Sequence, residues 1–129
     1  MQYIGKINIK LFEKISNKLI TDVVVLTDKQ REHIKERHPE ILEKYEKYFL
    51  DVIEKPDYIL KDNSRENTAL ILKTIIVNDE KIGNVNLVLR LAIENDKEHD
   101  KNSIITCIPV GKNRLKSYIK NGKIVYKYE

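Results

Sequence analysis

The chain reads as an α+β domain, with one or two amino-terminal helices packed on an antiparallel sheet of four to five strands. Three observations carry that expectation. The capped pattern Thr27-Asp28-Lys29-Gln30 opens a helical region that Pro39 blocks, and an apolar stripe at spacings of three and four runs from Ile41 to Val52. Beyond Pro56 the apolar runs become short, β-branched and bounded by polar breaks. Helices first and strands second is the order of an α+β fold.

Residues Leu19 to Leu26, LITDVVVL, suit a short buried strand. Thr27 or Asp28 then starts the first helix, and Ile41, Tyr45, Tyr48, Phe49 and Val52 mark an amphipathic second one that Pro56 ends. The segments Tyr58 to Leu60, Thr68 to Val77, Asn84 to Ile93, Ser103 to Val110 and Lys123 to Tyr128 read as strands. Between them, Asn78 to Asn84 with Gly83 predicts a hairpin connection, and Glu94 to Asn102 predicts a longer charged loop. Gly111 to Asn121 predicts a short helix stopped by Gly122. At 129 residues the chain fits one domain, residues 1–129, with 22–129 as its core and 1–21 as a strand-forming amino-terminal extension.

Charge is heavy on both sides, 24 Lys+Arg against 20 Asp+Glu, for a net +4 and a pI near 9.0. That balance is compatible with a nucleic-acid partner without requiring one. Its distribution is more informative, because acids crowd Asp28 to Glu54 and Asp79 to Asp100 whereas Lys101 to Lys127 carries none. The lone Cys107 excludes an intramolecular disulfide and points to a reducing compartment or simply to no redox role; it reads as a buried strand residue, and a cytoplasmic location is expected. Met1 to Leu11 lacks the features of a signal peptide, and no apolar run reaches membrane-spanning length, so no membrane role is expected.

The densest group of chemically useful side chains is His33-Ile34-Lys35-Glu36-Arg37-His38-Pro39. His33 and Arg37, four apart, share a helix face, whereas His38 lies about 140° away on a regular helix unless Pro39 re-aims it. Two readings compete: surface histidines, with His38 favoured by the helix dipole, or proton-transfer groups. Metal-free RNA cleavage needs a base for the ribose 2′-OH, an acid for the leaving 5′-oxygen and cations for the phosphorus transition state. Lys73 and Arg90, each embedded in an apolar strand, could supply those cations or simply face solvent. Ser103, Thr106 and Tyr126 could add neutral hydrogen bonds, although each is also an ordinary strand residue. His33 and His38 lack the spacing of a helical zinc site, so neither metal nor cofactor is expected.

The stretch VVVLTDKQREHIKERHPE, followed in order by EKPDYIL, TALILK, LVLRLA, NSIITCIPV and Ile-Val-Tyr-Lys, resembles the phage-type barnase/EndoU/colicin/RelE-like (BECR) nucleases over about residues 22–129. The resemblance implies an α+β fold with the site on the open face of the sheet. It makes His33, Arg37 and His38 the helix contribution, Lys73 and Arg90 the strand cations, Thr106 the strand hydroxyl and Tyr126 a carboxy-terminal member. It also implies a phage- or toxin-associated endoribonuclease acting on tRNA or mRNA, held in check by an inhibitor or antitoxin protein. The alternative on the same fold is a non-catalytic nucleic-acid-binding or protein-interaction domain.

Overall fold

The computed structural model describes residues 1–97 and 100–129. Its elements are β1 (Gln2–Lys6), α1 (Ile9–Phe12), β2 (Val23–Leu26), α2 (Asp28–Arg37), α3 (Pro39–Tyr45), α4 (Phe49–Glu54), β3 (Tyr58–Lys61), β4 (Thr68–Val77), β5 (Glu80–Arg90), β6 (Asn102–Pro109), α5 (Lys112–Asn121) and β7 (Lys123–Lys127). The α+β class is as expected, but the sheet has seven strands instead of four to five, in the order β1-β2-β6-β5-β4-β3-β7. The extra width comes from the amino terminus, where β1 pairs antiparallel with β2 and widens the sheet at one edge. Residues 1–21, expected to be strand-forming, thus contribute one strand and the short helix α1.

The sheet is also not wholly antiparallel, because β2 and β6 run parallel through Val24↔Asn102 and Val25↔Ser103. Buried Asn102 stitches that junction: its Nδ2 donates to the carbonyls of Thr21 and Val23 at 2.9 and 3.0 Å, and its Oδ1 accepts from Ala92 N–H at 2.8 Å. Each buried amide group there has a partner, as a low-dielectric interior requires.

One face of the sheet carries the core. Ala69, Ile71 and Ile75 of β4, Val85, Leu87 and Leu89 of β5, and Ile104 and Cys107 of β6 pack against Phe12, Ile34, Ile41, Phe49 and Ile53. Because strand side chains alternate, Asn86, Val88 and Arg90 of β5 project to the second face. Ile34 is the one buried residue of α2, and its burial anchors that helix to the sheet with about 2–3 kcal/mol of apolar transfer.

Two local expectations are corrected. The second helix breaks into α3 and α4 around a 3-10 turn at Glu46–Tyr48, while Ile41, Tyr45, Phe49 and Val52 keep their inward stripe. At the break the Tyr45 hydroxyl lies against Gly83, where an added Cβ would sit 2.1 Å from it. Gly83 is therefore a strand residue of β5 needed for close approach, not part of the hairpin turn. The turn is Asn78-Asp79 alone, both at positive φ (52° and 64°) between paired Val77 and Glu80, the arrangement that follows the strands' twist. The charged loop expected at Glu94 to Asn102 lies partly outside the described residues.

Candidate active site on the second face of the sheet

Helix α2 presents the cluster that the sequence singles out. The Thr27 hydroxyl accepts from Gln30 N–H at 3.1 Å and caps the helix. Strand β2 stops at Leu26, so the distal half of β6 has no strand beside it on that edge, and α2 packs there instead. His33 and Arg37 project one turn apart from this helix. His38 leaves the helix at φ −143°, ψ 68° as the residue before Pro39, while its N–H still donates to the Ile34 carbonyl at 2.7 Å. That departure re-aims the side chain: His33, Arg37 and His38 all line one cleft of about 370 Å³. Its other walls are Ile105, Thr106 and Ile108 of β6, Lys29 and Gln30 at the start of α2, and Arg65 from the loop before β4. The Glu40 carboxylate lies 3.8 Å from His38 Nδ1, leaving Nε2 as the ring's other polar atom.

Arg65 is held in place by the loop that carries it. Its Nε donates to Asp62 Oδ2 at 2.8 Å, and Asp62 Oδ1 accepts from the Ser64 N–H and hydroxyl, both at 2.9 Å. Burial alone would raise the Asp62 carboxyl, but the Ser64 and Arg65 hydrogen bonds outweigh it and hold the group below its ordinary value. Among the described residues the terminal nitrogens of Arg65 have no partner. Arg65 and Ile108 also border a second hollow of about 300 Å³, walled by Leu70, Asn86, Val88, Arg114 and Tyr118. The two hollows form one groove across the second face, from α2 to α5.

The expected residues divide. His33, Arg37, His38 and Thr106 are brought together. Lys73 is not with them: its β4 position alternates with Leu72 and shares the face of Ile71 and Ile75, and its Nζ donates to the Lys55 carbonyl at 2.6 Å, 3.7 Å from Asp57. Tyr126 joins Lys73 in a separate hollow of about 310 Å³. Arg90 projects to the second face but binds Asp96 Oδ2 at 2.9 Å and does not line the cleft, and Ser103 is its partner across to β6. Arg65, Arg114 and Asn86 were not singled out from the sequence. Asp62-Asn63-Ser64-Arg65 falls in the polar break between the expected strands Tyr58 to Leu60 and Thr68 to Val77, and only the fold shows that it borders the groove.

Among the described residues there is no group of three or more His, Cys, Asp or Glu placed to hold a metal, and no helix long and apolar enough to cross a membrane. Cys107 lies in the core, where burial pushes its thiol up to about 12, away from nucleophilic chemistry.

Fold and site together describe an α+β domain with an open, cation-bordered groove on the sheet face that the main helices leave uncovered. The chain matches the family model of the phage-Barnase-EndoU-ColicinE5/D-RelE like nuclease2 group over residues 4–127, and it belongs to this nuclease-like family. No curated protein and no solved structure matches it.

Proposed function

We propose that the protein is a metal-independent endoribonuclease that cleaves RNA by attack of the ribose 2′-OH on the adjacent phosphorus. The observation that carries the reading is the convergence of His33, Arg37 and His38 with Arg65 and Thr106 in one cleft. One imidazole takes the 2′-OH proton while the other protonates the departing 5′-oxygen, giving a 2′,3′-cyclic phosphate and a free 5′-hydroxyl. Arg37 and Arg65 face the charge that builds on the non-bridging phosphate oxygens, and Arg65 is already oriented by Asp62. The Thr106 hydroxyl supplies a neutral donor beside them. Lys73, Arg90 and Tyr126, which the family resemblance had included, have no role in this mechanism. A cytoplasmic tRNA or mRNA substrate and a restraining inhibitor protein complete the proposal.

The test is incubation of the purified protein with tRNA and mRNA in excess EDTA, followed by analysis of product ends. Fragments bearing 2′,3′-cyclic phosphate are expected, with a rate loss on the order of 100-fold or more for His33→Ala and for His38→Ala. Intact RNA that is nevertheless retained by the protein would overturn the catalytic reading in favour of a binding domain.

A further inference from the structure

Three asparagines of the sheet region are almost fully buried, and two of them are completely engaged. Asn102 satisfies three backbone groups, as described above. Asn84 accepts from the Thr74 hydroxyl at 2.7 Å and donates to the Val110 carbonyl at 3.4 Å. Asn86 differs. It is 1% exposed, its Nδ2 donates to the Tyr118 hydroxyl at a long 3.4 Å, and its Oδ1 has no partner. A buried amide oxygen without a donor is rare, and where one persists a ligand that supplies the donor is a physical reason for keeping it.

The surroundings say what kind of ligand. Asn86 lines the second hollow of the groove, whose walls include the apolar side chains of Leu70, Val88 and Ile108, together with Tyr118 and Arg114 of α5. The Arg114 guanidinium stands 5.7 Å from the centre of the Tyr118 ring. Apolar walls, an aromatic ring, an arginine plane and one unmatched acceptor are the elements that hold a planar heterocycle by its faces and read it at its edge. Arg65 borders both hollows, so a phosphate at the histidine cleft and a planar group in the second hollow would both lie beside it.

Resting on the ribonuclease reading, we propose that this second hollow is a nucleobase subsite in which Asn86 Oδ1 accepts a hydrogen bond from an exocyclic amino group. Adenine, cytosine and guanine carry that group. Uracil has no amino group; its imide N–H can donate to the same oxygen only with a carbonyl oxygen on either side of it, and those two oxygens repel the Asn86 oxygen and weaken the bond. Asn86 is thus a specificity-determining residue, separate from the proton-transfer groups on α2.

Titration of the full chain with AMP, CMP, GMP and UMP, followed by NMR of the Asn86 and Tyr118 signals, tests the subsite without requiring turnover. The three amino-bearing nucleotides are expected to bind about tenfold tighter than UMP, the effect of one buried hydrogen bond made or lost. Asn86→Leu should remove the discrimination without lowering the unfolding midpoint, because relief of the unsatisfied oxygen offsets the loss of the long bond to the Tyr118 hydroxyl. Equal binding of all four nucleotides, absence of binding, or discrimination that survives in Asn86→Leu would overturn the proposal. The RNA digest separates the two readings. Cleavage by wild type with no base preference would sink the subsite and leave the nuclease standing; uncut RNA with AMP still preferred over UMP would do the reverse.

Discussion

At the edge made by β3 and β7, Lys73 is closed in by the Lys55 carbonyl and the Asp57 carboxylate, and its side chain is only 16% exposed. Across the sheet, Arg65 is also tied to an aspartate, yet its side chain stays 46% exposed and borders both hollows of the groove. Both are cations paired with acids, and both lie in loops or strands that turn signals surround. What separates them is the number of donors. The ammonium of Lys73 is a single point of charge directed at one carbonyl, and Asp57 is itself engaged by Thr74 N–H at 2.8 Å. The guanidinium of Arg65 meets Asp62 through Nε and still has a terminal edge for a bidentate anion. One contact closes its cation into the fold; the other leaves a guanidinium edge open to the groove.

The sharpest way to break this comparison is to remove each cation in turn. Arg65→Ala is expected to lower RNA cleavage about 100-fold, the usual loss when one preorganised donor to a developing anion is removed. Lys73→Met should leave the cleavage rate within about twofold while lowering stability in urea by roughly 1 kcal/mol, because the Lys55 carbonyl and Asp57 lose a partner. Initial rates and urea midpoints on the two variants decide it. A large rate loss in Lys73→Met would place the reacting phosphate at the β3–β7 edge instead.

The positioning of Arg65 gives a pH-dependent version of the same contrast. The Asp62 carboxyl is held below its ordinary value of 3.8 in the folded chain, so it binds a proton less readily folded than unfolded. Its contribution to stability is therefore complete above about pH 3.8 and lost as pH falls through the lower folded value. Asp62→Asn should accordingly be less stable than wild type at neutral pH, with the gap closing as the solution is acidified below that range. At neutral pH its cleavage rate should fall about tenfold, less than for Arg65→Ala, since the guanidinium remains but is no longer held. A gap in stability that stays constant down to acid pH would show that Asp62 acts by packing and not by charge.

Most of the helix that bears the histidines was legible from local chemistry. Thr27 caps it, Pro39 ends it and His33 and Arg37 share its face, all consequences of nearest neighbours along the chain. The strands β3 to β7 were also legible, from β-branched runs and polar breaks. The errors came from long-range geometry. The sequence near Gln2–Lys6 does not say that it will pair with Val23–Leu26 and widen the sheet, and an apolar run with one lysine does not say which face that lysine takes. Strict alternation places Lys73 with Ile71 and Ile75, but which of the two alternating sets is covered by helices is decided by the whole fold. Arg65 was invisible for the same reason, as a loop residue whose value depends on what the loop leans over. The family resemblance named the helix residues that converge, and it also named Lys73, Arg90 and Tyr126, which do not line the cleft.

The smallest expected effect tests whether α2 acts as a rigid mount for His33, Arg37 and His38. Thr27→Ala removes the hydroxyl that accepts from Gln30 N–H and should cost about 1 kcal/mol of stability. Because Ile34 still anchors the helix to the core and His38 N–H still bonds to the Ile34 carbonyl, the carboxy-terminal turn that carries Arg37 and His38 should keep its geometry. Cleavage at a temperature well below the unfolding midpoint is then expected to stay within about twofold of wild type, while the midpoint itself falls by a few degrees. If the rate instead drops in proportion to the lost stability, the first turn of α2 is not a passive support. Lys29 and Gln30, which also line the cleft beside that cap, would then contact the RNA directly and need the cap to hold them there.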